Sequence, residues 1–403
     1  MATTETARIP HDLSGRQYRL PVGRVTWRTT FRALRHRNYR LFFWGQLVSL
    51  IGTWMQQTAM SWYVYEITNS KILLGTVAAV GSAPMMIFSI WGGSLADRHP
   101  KRTILVWTQT AQMVCAFVLA LGVWLHFATP FFIIVVAAIN GMAMGFDMPA
   151  RQAFTVEMTS REDLLNAISL NSSIVNGARV IGPSVAGLMI GAVGVAICFL
   201  FNGLSFIAVI AGLLMMRLPS FTRPTHTASA AEHAWSGIVY SIKHQRVRTI
   251  LLLFLAVGVF GWSYAVLMPA FARDVLGMGA NGYGALMSAS GIGAFIGALI
   301  VATYGHLVTP RKCMLFAGFG MLLFFSTSNT VLQTIVPDEM RGRVMGIWSL
   351  VFGAMIPLGS LEAGSVAHWT STPFALGFGA VICAVSGIIT RIVIARRERT
   401  SAR

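Results

Sequence analysis

Acidic residues are scarce in this chain. There are 14 Asp and Glu against 31 Lys and Arg, and charged residues of both signs make up only 11% of 403. Soluble domains carry about 25%, and a fold of this length needs more polar surface to cover itself in water. A soluble globular class is therefore excluded. Cysteine is nearly absent: Cys115, Cys198, Cys313 and Cys383 each sit in an apolar run with no partner at metal-ligand spacing. They read as small core residues, which excludes a disulfide framework and a cysteine metal site. No Gly-rich phosphate loop is present, so nucleotide hydrolysis is excluded as the energy source. No cofactor box, metal cluster or catalytic constellation stands out, and the chain reads as a non-enzyme without cofactor. The short segments of alternating polarity that a membrane β-barrel needs are also missing. A cleavable signal peptide is not expected, because the first apolar run starts near Leu41 and is too long for one.

What the chain does have is apolar sequence. Hydrophobic residues make up 55%, with a mean hydropathy of +0.65. Apolar segments fall at about 41–65, 73–96, 103–126, 131–152, 164–192, 195–216, 250–272, 281–304, 313–336, 344–366 and 374–395. Runs of eighteen or more residues are long enough to cross about 30 Å of hydrocarbon as helices, so an all-α membrane protein embedded in a lipid bilayer is expected. The net charge of +17 lies in the N-terminal tail, the short loops and the C-terminus. That is the positive-inside distribution rather than a nucleic-acid footprint, and it puts the N-terminus in the cytoplasm. The expected organisation is a basic tail (1–40), a six-helix bundle (41–216), a Pro/Ser/Thr-containing linker (217–249), a second bundle (250–395) shortened near 313–336, and a basic tail (396–403).

The two halves resemble each other. The helix start at Arg37 repeats at Arg246, an offset of 209, and His99-Pro100-Lys101-Arg102 matches Thr309-Pro310-Arg311-Lys312, an offset of 210. Ala167-Ile168-Ser169-Leu170 then matches Ile347-Trp348-Ser349-Leu350 at only 180. The drop corresponds to one helix and its loop, leaving about 11 apparent transmembrane segments instead of 12. It also creates a parity conflict. If 313–336 crosses once, one of the basic groups at Arg311-Lys312, Arg341-Arg343 or the C-terminus must face away from the cytoplasm. Either the last two helices are inverted against the charge rule, or 313–336 spans incompletely.

Between the second and third segments lies Gly92-Gly93-Ser94-Leu95-Ala96-Asp97-Arg98-His99-Pro100-Lys101-Arg102. It resembles the signature loop of the major facilitator superfamily, Gly-x-Leu-Ala-Asp-Arg-x-Gly-Arg-Lys, with Pro100 in place of the usual Gly. Further stretches (RNYRLFFWGQLVSLIGTWMQQTAMSWYVYEIT, DMPARQAFTVEM, NGARVIGPSVAG and PDEMRGRVMG) look like the drug and siderophore exporter branch of that superfamily. The resemblance covers almost the whole chain. It implies a major facilitator fold of two pseudo-symmetric helical bundles and a gating role for Gly93, Asp97, Arg98, Lys101 and Arg102. Gly93 would be a close-packing point, and Asp97 an anion held near a helix N-terminus of the other half, latching the outward-facing state. The second-half counterpart around Gly305–Lys312 has no Asp. Gly182-Pro183-Ser184-Val185-Ala186-Gly187 resembles the antiporter motif Gly-Pro-x-x-Gly-Gly, with Ala186 replacing one Gly. The Arg that drug antiporters carry on the fourth helix is absent, since Ala137 and Ala138 occupy that region.

Two polar stripes mark candidate sites. Asn140, Asp147 and Arg151 share one face of the fourth helix, and Ser172, Asn176, Arg179 and Pro183 share one face of the fifth. Ionisable groups within spans are costly and mark pathways or partners. Asp147 and Arg179 are offset by roughly 9 Å along the helices, so direct pairing requires a long, bent Arg side chain. Asp147 is either a proton-titrating or substrate-cation group, with Arg179 as partner or anion contact, or half of a structural pair. Arg151, near the cytoplasmic end, is expected to pair with Asp97 or to snorkel. Trp54, Gln56 and Gln57 on the first helix, and Trp262 and Tyr264 on the seventh, belong to helices that line the cavity in the superfamily. Glu362 is a further costly group in mid-span. The reading is a secondary active transporter of the bacterial inner membrane, monomeric, exporting a drug-like or siderophore-like small molecule against a flow of protons. The alternatives are a transport-inactive chain carrying a deletion, and an importer or uniporter.

Overall fold

The computed structural model describes residues 31–160, 162–218, 238–304, 328, 331–332 and 335–401. A 3-10 turn (Arg32–Arg35) leads into α1 (Arg37–Thr68). The first half continues with α2 (Lys71–Arg98), α3 (Lys101–Trp124), α4 (Pro130–Glu157), α5 (Leu164–Val193) and α6 (Val195–Leu214). The second half holds α7 (Gln245–Ala270), α8 (Ala280–Tyr304), α9 (Asp338–Trp369) and α10 (Thr372–Ser401). Among the described residues, α2 to α7, α9 and α10 are each long and apolar enough to cross a bilayer. Their backbone groups bond within the segment, as a hydrocarbon surrounding demands. The α1 helix, 32 residues long, is more polar and spends Gln46 and Gln56 inside the bundle. The expected segment 313–336 lies outside the described residues, apart from 328, 331–332, 335 and 336.

Local signals explain the tight connections. Asn69, in the left-handed region at φ 48°, turns α1 into α2, and the Ser70 hydroxyl caps α2 by accepting from the Leu73 amide at 3.2 Å. Thr129 caps α4 in the same way, with Pro130 at its first position. Gly194, at φ +89°, joins α5 to α6 in a single residue.

Neighbouring contacts give each helix a direction. Residues 258 and 267 of α7 lie beside 355 and 363–367 of α9, so these two helices run parallel from the same end. Along α2 and α9, Gly75 meets Gly364 and Met86 meets Gly353, so this pair is antiparallel. Helix α8 descends against α5, from Gly284 beside Gly187 to Gly291 beside Arg179. Thus α8 finishes, and α9 starts, at the end of the bundle that carries the Asp97 loop. The last two helices are not inverted, which removes one branch of the parity conflict. The chain between Tyr304 and Asp338 leaves and returns at the same end with 33 residues, fewer than the roughly 40 that two full helical crossings take.

The halves meet as the repeat dictates. Tyr65 and Asp274, 209 positions apart, are repeat equivalents, and they bond to each other. The α2–α9 and α5–α8 crossings are the two copies of one contact: Gly75 on Gly364 corresponds, at offsets of about 210 and 180, to Gly284 on Gly187. Both rely on missing side chains. A Cβ at Gly75 would stand 2.3 Å from the Ser360 carbonyl oxygen, and one at Gly284 would stand 2.7 Å from the Gly187 Cα. Close backbone approach of this kind drives helix association where lipid removes the hydrophobic incentive.

One core joins the halves, and the others among the described residues each lie within one half. At the end opposite Asp97, Met55, Ala59, Trp62 and Tyr65 of the first half share a cluster with Ala270, Ala272 and Tyr283 of the second. At the Asp97 end, the cluster around Phe42, Leu105 and Phe154 belongs to the first half, and the cluster around Val247, Ile250 and Val344 to the second. The end opposite Asp97 is therefore the sealed one, while at the Asp97 end each half keeps its own core.

Candidate functional site

Between the halves stands Arg179, midway along the 30-residue helix α5. Its guanidinium carbon lies 5.2 Å from the ring centre of Trp54 on α1 and 5.5 Å from that of Trp262 on α7. One cation thus touches an aromatic ring from each half. On the same face of α5, toward the Asp97 end, lie Ser172 and Asn176, whose amide donates to the Ser172 carbonyl at 2.9 Å. Gln57, one turn beyond Trp54, is exposed. Pro183 lies within α5 one turn past Arg179. Having no amide hydrogen, it leaves the Arg179 carbonyl without its helical donor, at the point where Gly291 packs. The flanking motif glycines are contact points: Gly182 is filled by Trp54, and Gly187 by the backbone of α8. The Tyr264 hydroxyl bonds Ser290 of α8 at 2.9 Å.

Asp147 belongs to a different arrangement. It is 3% exposed, and one oxygen accepts from Thr108 at 2.9 Å and from Gln109 at 2.7 Å, both on α3. The other oxygen accepts from Arg151, one turn along α4, and Arg151 also donates to Gln46 of α1. This network ties α1, α3 and α4 together inside the first half. The expected neighbours are thus corrected: Asp147 pairs with Arg151 rather than with Arg179, and Arg151 neither pairs with Asp97 nor snorkels. A nearer partner at i+4 outcompetes one on another helix. Gln56 is likewise structural, accepting from Asn202 of α6 at 2.8 Å.

The signature loop is likewise anchored within its own half. Lys101 bonds Glu157 at 2.6 Å, and Arg102 donates to the Leu214 carbonyl at 2.9 Å. Asp97 and Arg98 are exposed, and Asp97 has no ion pair among the described residues. The close-packing glycine is Gly92, not Gly93. A Cβ on Gly92 would stand 2.5 Å from the Gly145 carbonyl oxygen of α4, whereas one on Gly93 would meet nothing within 4 Å.

Three features have no counterpart in the sequence reading. The sealed end is closed by Tyr65, whose hydroxyl donates to Asp274, by Arg273 over the Tyr65 ring at 5.9 Å, and by Trp62 stacked on Tyr283 at 5.8 Å. At the Asp97 end Asp163 is fully buried, bonded to Arg32, to Arg35 at 2.8 Å and to His36 at 2.7 Å. Burial alone would raise its pKa, but the His36 hydrogen bond and the two Arg charges prevail and hold it below the usual carboxylate range. The third is the state of Glu362 on α9. Both its carboxyl oxygens are buried and have no hydrogen-bond partner among the described residues, and Cys383 of α10 is its titratable neighbour. The offset of 209 between Tyr65 and Asp274 was the one signal that pointed to the seal.

Known proteins agree with this architecture. The staphyloferrin A transporter of Staphylococcus aureus is 25% identical over 350 residues, covering 80% of this chain and 87% of that protein. The enterobactin exporter EntS of Shigella flexneri is 24% identical over 416 residues, covering 94% and 98%. Among solved structures, the nucleoside transporter NupG superposes with a TM-score of 0.70 at 12% identity, covering 88% and 98%. A bacterial homolog of the lysosomal transporter Spinster superposes at 0.62 and 13% identity, covering 89% and 95%. The family model described as transmembrane secretion effector matches residues 28–321. The chain is thus a multi-pass secondary transporter of the major facilitator fold, and it belongs to the transmembrane secretion effector family.

Proposed function

We propose that the protein works as a monomer in the bacterial inner membrane, Asp97 end inward, and exports a siderophore-like small molecule in exchange for protons. What carries this reading is the pair of halves closed on each other at the Tyr65–Asp274 end, with Arg179 between Trp54 and Trp262 at mid-depth. The basic residues around the Asp97 end support a cytoplasmic location for it. A compound leaving the cell has to pass the seal last. The name of one relative, the enterobactin exporter, supports the direction.

For the proton, the arrangement favours Glu362 over Asp147. The Asp147 carboxylate already accepts from Thr108, Gln109 and Arg151, and protonation would break that network. Glu362 has no such network: among the described residues neither of its oxygens has a hydrogen-bond partner, so a proton can come and go there without breaking one. The test is efflux from cells and from everted vesicles with an imposed pH gradient. Glu362→Gln should abolish the response to the gradient while downhill movement of substrate persists. Gradient-driven efflux by Glu362→Gln equal to wild type would contradict the assignment, and accumulation in cells would indicate an importer.

The 33-residue connection between α8 and α9 favours a second reading, a transport-inactive chain. The alignment to the enterobactin exporter, 416 residues against a chain of 403, requires gaps in this chain. Equal export by this chain and by a version with a complete second half would rule that reading out.

A further inference from the structure

The Arg179 guanidinium is an ionised group at mid-span, where an unpaired charge is expensive. Among the described residues it makes no hydrogen bond and no ion pair. The two carboxylates at comparable depth do not reach it, since Asp147 is engaged by Arg151 and both Glu362 oxygens are without partners. Trp54 and Trp262 hold the cation by their ring faces, a contact that neutralises nothing. Five N–H donors in a planar fork remain available, in the geometry that takes a carboxylate in two parallel hydrogen bonds. The polar side chains near it, Ser172, Asn176, Gln57 and the Tyr264 hydroxyl bonded to Ser290, include no carboxylate.

We propose that Arg179 is an anion-binding residue between the halves, and that the transported compound presents a carboxylate to it. The fork takes the anion while the two indoles hold the guanidinium in place. This rests on the export reading for its biological meaning but not for its chemistry. Trp54 and Trp262 belong to different halves, so an anion drawing Arg179 forward alters a bridge between them. That gives the ligand the differential contact with two states that any conformational coupling requires.

The test is displacement of radiolabelled salicylate from the purified full chain in nanodiscs by unlabelled salicylate, its neutral amide salicylamide, and the cation tyramine. Salicylate should bind saturably and compete about 10- to 100-fold better than salicylamide, the range expected for hydrogen bonds to a charged group. Tyramine should not compete. Arg179→Gln should lose that preference, Arg179→Lys should keep only the part that charge alone supplies, and Trp262→Phe should weaken salicylate while keeping the preference. Absence of saturable salicylate binding, equal competition by the amide, or an unchanged preference in monodisperse Arg179→Gln would each overturn the proposal. Charge-selective binding without proton-dependent efflux would leave this inference standing and sink the export reading. Proton-dependent efflux with an unaltered Arg179→Gln would do the reverse.

Discussion

Asp147 and Asp163 are both buried carboxylates facing arginine, and their surroundings give them different work. Asp147 joins three helices of one bundle through Thr108, Gln109 and Arg151. Asp147→Asn should therefore cost about 2–4 kcal/mol by stranding Arg151, seen as a lower Tm in detergent, while the pH dependence of efflux is retained. Altered pH dependence at unchanged Tm would reverse the roles of Asp147 and Glu362. Asp163 pins the segment Arg32–His36 to the start of α5. Its pKa is depressed in the fold, so its contribution is complete above the unfolded carboxylate value of about 3.9 and is lost as pH falls through the lower folded value. Asp163→Asn should lower stability by about 1–3 kcal/mol between pH 5 and 8, discounted because Arg32 and Arg35 are half exposed. The loss should shrink below pH 4. A loss that grows on acidification would contradict this sign.

On the scale of the helix, the side that a residue faces decides its role, and one position is a rotation of about 100°. Gly92 meets α4 and Gly93 meets nothing, although the motif alone favoured Gly93. Gly92→Leu should impair folding or insertion, and Gly93→Ala should leave stability within about 0.5 kcal/mol, read by yield and Tm. The existence of the helices was legible because apolar runs of this length have no other use. The partnership of Asp147 with Arg151 was also within reach, since their spacing of four puts them on one face. What single-helix patterns do not carry is the rotation of each helix against its neighbours. For that reason Gln56 read as a cleft residue when it bonds Asn202, and the partnerless state of Glu362 was visible only as an acidic residue in mid-span.

For the whole molecule, the repeat was the most informative feature of the sequence. Its offset of 209 pairs Tyr65 with Asp274 at the seal, and its drop to 180 is matched by the α5–α8 and α2–α9 crossings. The charge pattern left the direction of α9 and α10 open, and packing of α9 along α7 decides it. A cysteine placed at Ser401 should then resist a membrane-impermeant thiol reagent in intact cells, while one at His126, on the opposite end, should react. Labelling of both would mean that the last two helices are reversed.

Alternation between two halves is tested most directly at the seal. In a cysteine-free background, Tyr65→Cys and Asp274→Cys are joined by a short thiol cross-linker while efflux is followed. Cross-linking should stop efflux, and cleavage of the linker should restore it, because the compound leaves only when these repeat-equivalent positions part. Efflux that continues at the wild-type rate with the two positions joined would contradict a path between rocking halves.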